Sequence, residues 1–227
     1  MLVKAKTFLI FGVLPAAALQ SIGAFIYFIL LNGTIWAQPA YLIDKIVIVG
    51  VLIFWIFRHP PLPKFQLSKS VKDCLIGLSA GLIATTLIGL VAWINWETLL
   101  TAAPAINNRI SNFSFLANYF AATAIIFSIF HSLFEEWYWR WFVGKGLELS
   151  LKPITAAILG SLAFTAHHVI ILSQFFAWPL TIFFSFGVFL AGVIWSTLYA
   201  KTKNLTASWI SHAMVDLIIF AIISRLI

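Results

Sequence analysis

Long apolar runs broken by short polar segments dominate the chain. A helix that crosses a bilayer needs roughly 20 mostly apolar residues. Seven runs of this kind lie at about Phe8–Leu31, Leu42–Phe57, Cys74–Trp96, Phe115–Val143, Ile154–Phe176, Leu180–Ala200 and Leu205–Ser224. The second is the shortest and carries the charged pair Asp44-Lys45 near its start. Period-two alternation is missing from all of them, which argues against a β-barrel. Lipid offers no partner to open backbone groups, so the runs must be helical. The pattern therefore predicts an all-α polytopic transmembrane helical bundle of about seven spans, without internal repeats. The first run has the basic start of a signal peptide (Lys4, Lys6) and a small-residue stretch at Ala16-Ala17-Ala18. Its apolar character continues through Phe25–Leu31, too far for a signal core, so it reads as an uncleaved helix bent at Pro15.

Composition narrows the class. Hydrophobic residues make up 62% and charged residues 9% of the 227. A soluble domain carries about a quarter charged residues, and a disordered chain lacks such apolar content. Both are excluded. A single cysteine, Cys74, excludes a disulfide framework and any zinc site built on thiolates. The net charge of +7 does not point to nucleic acid, because the basic residues lie in short segments between the apolar runs. Their distribution sets orientation instead, since Lys and Arg concentrate on the cytoplasmic side. With the N-terminus inside, 11 of the 14 basic residues fall inside and 3 (Lys45, Arg109, Arg225) outside. The expectation is a multi-pass protein of a prokaryotic inner membrane, N-terminus cytoplasmic. Its segment Arg58–Lys72, with Pro60, Pro61 and Pro63, forms a non-helical cytoplasmic turn.

Ionisable residues are expensive inside a membrane, at least ~2.5 kcal/mol each at the bilayer centre. Here they gather in three runs. The fourth contains His131-Ser-Leu-Phe-Glu135-Glu136-Trp-Tyr-Trp-Arg140, the fifth Phe164-Thr-Ala-His167-His168, and the seventh His212-Ala-Met-Val-Asp216. Glu136 and Arg140 share a helix face in the favourable order for an ion pair. Glu135 points about 100° away from Glu136, so adjacent acids receive different surroundings. The competing reading is an interfacial charge cluster within an aromatic belt of Trp137, Tyr138, Trp139 and Trp141. His167 and His168 point in different directions, and either could be a packed histidine. His212 and Asp216 share a face, where Asp216 could orient the imidazole by accepting its N–H; a hydrogen-bonded pair holding helices together is the alternative. With neutral histidines, Glu135, Glu136, Arg140, His168, His212 and Asp216 carry a formal charge of −2. Buried like charges cannot all stay ionised, so one group should hold an extra proton.

Taken in order, Glu135-Glu136-x-x-x-Arg140, Phe164-x-x-x-His168 and His212-x-x-x-Asp216 resemble the three signature motifs of the CAAX protease and bacteriocin-processing (CPBP, or ABI) family, which includes type II CAAX prenyl endopeptidases. The resemblance covers roughly residues 115–224. It implies an intramembrane glutamic endopeptidase whose catalytic core lies in the last four helices, with residues 1–114 as variable packing elements and 115–227 as the catalytic membrane domain. It makes Glu135 the general base for a water, assisted by His168, with His212 stabilising the oxyanion and Glu136 and Arg140 in support. The last position is commonly Asn in the family. Asp216 in its place must be protonated or orient His212, because an ionised carboxylate would repel an oxyanion.

No Ser-His or Cys-His nucleophile is evident, and Cys74 lies far from the clusters, so a carboxylate base is the economical mechanism. No cofactor is expected. A zinc protease built on the same His and Glu residues is the rival mechanism, although the His-Glu-x-x-His helix signature is missing. A scaffold or immunity protein, or a proton-coupled transporter, is the rival of another class. Gly77-x-x-x-Gly81 and Gly187–Gly192 read as close helix packing rather than as broken transporter helices. His59, in a loop, and His131, one turn before Glu135, are placed outside the chemistry, though His131 could tune that acid. The expected partners are the bilayer and a membrane-associated substrate, which could be a prenylated C-terminus, a leader peptide or a sorting tail; nothing in the sequence sets the oligomeric state.

Overall fold

The computed structural model describes residues 2–58, 60–111 and 118–227. His59 and the expected start of the fourth run at Phe115 lie outside the described residues. The described residues are mostly helical, with no strand among them. Six helices are long and apolar enough to cross a membrane: α1 (Lys4–Leu30), α2 (Ala37–Phe57), α3 (Val71–Ile94), α5 (Pro153–Leu172), α6 (Trp178–Thr202) and α7 (Thr206–Leu226). Between them lies α4 (Phe120–Glu136), an α-helix of 17 residues that passes directly into a π-helix, Trp137–Gly144. The fourth apolar run is thus helical, but it stands apart from the six. The protein is an all-α, multi-pass membrane protein.

Two local expectations change. The helix α2 starts at Ala37, earlier than its apolar run suggests, so Asp44 and Lys45 lie within it and not at its entrance. In α1 the winding changes beside Pro15: a π-helical turn, Leu9–Val13, precedes an α-helical stretch beginning at Leu14. Pro15 lies inside this continuous helix and has no N–H to give to the preceding turn, which accounts for a change of winding there.

The chain divides into two compact units, Met1–Phe65 with Trp137–Thr197, and Gln66–Glu136 with Leu198–Ile227. In the first, α1 packs against α2 and α5. Gly23 of α1 faces Asp44 of α2 so closely that a Cβ would overlap the carboxyl group. This explains how a charge is accommodated in α2: Asp44 is held against a glycine while Lys45 Nζ lies 3.1 Å from its Oδ2. The π-helix Trp137–Gly144 forms the centre of this unit. Tyr138, Trp139, Phe142 and Val143 are at most 1% exposed, which sets aside the interfacial aromatic belt. Tyr138 Oη donates to Ala16 O (2.5 Å) and Trp141 Nε1 to Pro63 O (2.7 Å), so the buried polar tips of these rings are satisfied. Gly192 of α6 contacts Ser161 of α5, as close packing requires, whereas Gly187 faces open space and packs against nothing.

In the second unit, α7 packs along α3 and against α4. Gly77 and Gly81 of α3 make the close approach: a Cβ on Gly77 would come 2.7 Å from Ala207 O, and one on Gly81 would run into the thioether of Met214. On α4, Ala124, Ser128, Ser132 and Glu136 are buried at intervals of four, a small-residue stripe that lets a neighbour approach. Ser128 Oγ donates to Ala124 O (2.7 Å) and Ser132 Oγ to Ser128 O, so each hydroxyl is satisfied within its own helix. Across the interface, Trp209 Nε1 of α7 donates to Ile129 O of α4 (2.9 Å).

The first turn of α7 is tied to the segment preceding α3. Leu205 N donates to Gln66 O (3.1 Å). Thr206 Oγ1 accepts from Ser68 N (2.8 Å) and donates to Ser68 O (3.1 Å). Asn204 Oδ1 accepts from Thr206 N (3.0 Å), while its Nδ2 donates to Asp73 Oδ2 (2.9 Å). Amide groups at a helix start lack intrahelical partners, and these contacts supply them.

Candidate active site

The second unit brings four of the expected residues together. Glu135 and Glu136 end α4; His212 and Asp216 lie one turn apart on α7. Glu135, Glu136 and His212 are no more than 3% exposed. His212 Nδ1–H donates to Glu136 Oε1 at 2.9 Å. On the other edge of the ring, Nε2 lies 3.7 Å from Glu135 Oε2 and 3.7 Å from Asp216 Oδ1. The carboxylate bonded to Nδ1 is therefore Glu136, while Asp216 faces the opposite nitrogen.

A fifth member joins them. His131 Nε2 is 3.7 Å from Glu135 Oε1, and its Nδ1 is 4.0 Å from Asp216 Oδ2. Its ring stacks on Phe127, with centroids 4.1 Å apart and planes 17° from parallel. The four-residue interval from His131 to Glu135 was the sequence signal for this placement. Three carboxyl groups and two imidazoles thus share one buried locus, where proximity of like charges and burial make the protonation state part of the structure. Two groups at 3.7 Å are too far apart for a direct hydrogen bond. Among the described residues, no three His, Cys, Asp or Glu side chains are grouped so as to hold a metal ion.

Two expected residues belong to the first unit. His168 of α5 is half-buried, with Nδ1 3.0 Å from Phe164 O one turn back. In a neutral ring that bond places the proton on Nδ1 and leaves Nε2 as the acceptor. Phe164 also packs on His168, at 4.6 Å between centroids, which accounts for the phenylalanine of that motif. The preceding His167 is buried and stacks parallel to Trp139 (5.8 Å), a packing role. Arg140 is buried: its Nη1 donates to Gly192 O (3.1 Å) and Ser196 Oγ (3.2 Å), and its guanidinium lies over Phe164 (5.0 Å) and Trp195 (5.7 Å). Such ring faces stabilise a desolvated cation.

Residues 117–218 match the family described as type II CAAX prenyl endopeptidase Rce1-like. This segment contains all three motifs and agrees with the resemblance to CAAX proteases that they carry. The match supports a CAAX-type membrane protease at family level. No curated protein and no solved structure matches the chain.

Proposed function

We propose that the protein is an intramembrane endopeptidase that cleaves a membrane-associated peptide or protein with a water activated by Glu135. The observation that carries this reading is the buried Glu135–His212–Glu136 arrangement: one acid bonded to the imidazole and a second held 3.7 Å from its other nitrogen. The bound water transfers a proton to Glu135 as its oxygen attacks the scissile carbonyl. His212, anchored through Nδ1–H on Glu136, directs Nε2–H at the developing oxyanion. Collapse of the tetrahedral intermediate breaks the C–N bond, and Glu135 returns the proton to the leaving nitrogen. Asp216, on the same side of the ring as Glu135, serves in its protonated form, since a second anion there would oppose the oxyanion. The resemblance adds His168 as an aid to the base and Arg140 as a supporting residue, and assigns the catalytic part to 115–227. No cofactor enters the scheme. The basic-residue asymmetry supports a cytoplasmic N-terminus in a cell inner membrane.

General-base assistance contributes about 10²–10⁴-fold, and one oxyanion donor about 10²–10³-fold. The test is cleavage of a farnesylated peptide ending in a CAAX sequence, and of its unprenylated counterpart, by purified protein in liposomes. Glu135→Gln and His212→Ala should each lose at least about 100-fold in rate while remaining folded. Folded variants that keep the wild-type rate would refute the assignment. Loss of activity with a chelator, restored only by zinc, would replace this mechanism with a metal-dependent one. If neither peptide is cleaved, comparison of membrane peptides from wild-type and Glu135→Gln cells identifies the substrate; identical peptide sets would refute the protease reading.

A further inference from the structure

His131 is the member of the cluster that the scheme above leaves without a task, and its surroundings are specific. Each ring nitrogen faces a different carboxyl group, Glu135 on its own helix and Asp216 on α7. These are the charged groups within 4.0 Å of it among the described residues, with His212 on the far side of both. Phe127 fixes the ring plane by stacking and is itself held edge-on by Phe220 of α7 (5.7 Å). The His131 side chain is 38% exposed, against 3% for Glu135 and 4% for His212, so it is the rim of an otherwise closed cluster.

We propose that His131 is a positioning residue that, as a cation, bridges Glu135 and Asp216 and keeps Glu135 a carboxylate at the acidic end of the working range. This rests on the reading of Glu135 as the base. The chemistry follows from the charge count. Glu135 and Glu136 share one locus with a protonated Asp216, and a second positive charge beside His212 offsets the repulsion between the two anions that would otherwise drive a proton onto Glu135. A carboxylate base loses function on the acid side, where it takes up a proton. The effect of His131 therefore belongs to the acid limb of the rate profile and not to the alkaline limb.

The experiment is the pH dependence of kcat/KM for liposome-embedded wild type, His131→Phe and His131→Arg, on whichever peptide the wild type cleaves. Phenylalanine keeps the stack on Phe127 and removes the charge; arginine keeps the charge. For His131→Phe the acid limb should move to higher pH, with about tenfold less activity at a fixed pH on that limb, an equivalent of about one pH unit. The plateau and the alkaline limb should stay in place. His131→Arg should retain the wild-type acid limb. Unmoved limbs in both variants, or an equal loss of plateau rate in both, would overturn the inference, the second result marking a structural role. Glu135→Gln, assayed alongside, separates the two levels. If it stays active, the base assignment fails. If it is inactive and the His131 limbs do not move, only this inference fails.

Discussion

Replacing Gly77 with alanine places a methyl group where α3 and α7 touch most closely. The added Cβ would lie 2.7 Å from Ala207 O and 3.0 Å from Ala207 Cα, and both are backbone atoms that cannot rotate away. Ordinary contact begins near 3.4 Å, so α7 must retreat by about 0.7 Å. Overpacking of this kind costs about 1–3 kcal/mol. Alanine also gains about 1 kcal/mol of helix propensity over glycine wherever it is placed in α3. Gly89→Ala supplies the reference for that gain, because a Cβ there meets nothing within 4 Å. The difference between the two variants isolates the clash: about 2 kcal/mol, or about 4–8 °C in Tm for a chain of this length. Gly81→Ala should fall between them, because part of its obstacle is the far end of Met214, which can swing aside. Displacing α7 also shifts His212, and misplacement of a catalytic group by 1 Å can cost about 100-fold. Peptide cleavage by Gly77→Ala should therefore fall about tenfold. Thermal unfolding in one detergent, with cleavage measured in liposomes, provides both readouts. Equal Tm values for the Gly77 and Gly89 variants would refute the packing argument.

Further outcomes follow from the same contacts. Glu136→Gln keeps a hydrogen-bond acceptor but removes the charge facing His212 Nδ1; it should reduce kcat by about 10–100-fold with little change in KM, and a change confined to KM would contradict that role. The kcat/KM profile should be bell-shaped, falling on the acid side as Glu135 gains a proton and on the alkaline side as His212 loses its second; a rate that climbs steadily with pH would contradict the pairing. Trp209→Phe removes the hydrogen bond to Ile129 O and should lower stability by about 0.5–1.5 kcal/mol, measurable as a fall in Tm with the rate per folded molecule retained. Tyr138→Phe in the first unit removes the bond to Ala16 O and should cost a similar 0.5–1.5 kcal/mol, again read as Tm.

The spans were legible because hydropathy over roughly 20 residues is a property of the local sequence. The boundary of α2 was not, because Asp44 reads as an interruption until its partner Gly23 is known, and that partner lies on another helix. Gly77 and Gly81 announced themselves by spacing, while Gly187 shares their composition but faces open space. Within the site, helical periodicity paired His212 with Asp216, which share a face. The closer partner, Glu136, is 76 residues away in sequence, and no single-helix pattern could reveal it. The π-helical winding after Glu136 also escaped the pattern, because i→i+5 bonding leaves no compositional mark beyond a run of bulky rings. His131 was visible at its four-residue interval from Glu135, but the second carboxyl group it faces comes from α7.

The attachment of Gln66 and Ser68 to Leu205 and Thr206 gives the helix bearing His212 a handle remote from the chemistry. His212 lies about two turns beyond it, on a rod that transmits a pull with little loss. A protease nick or a bulky adduct between Gln66 and Ser70 would slacken that tether, and hydrolysis would decline although every reacting group was still present.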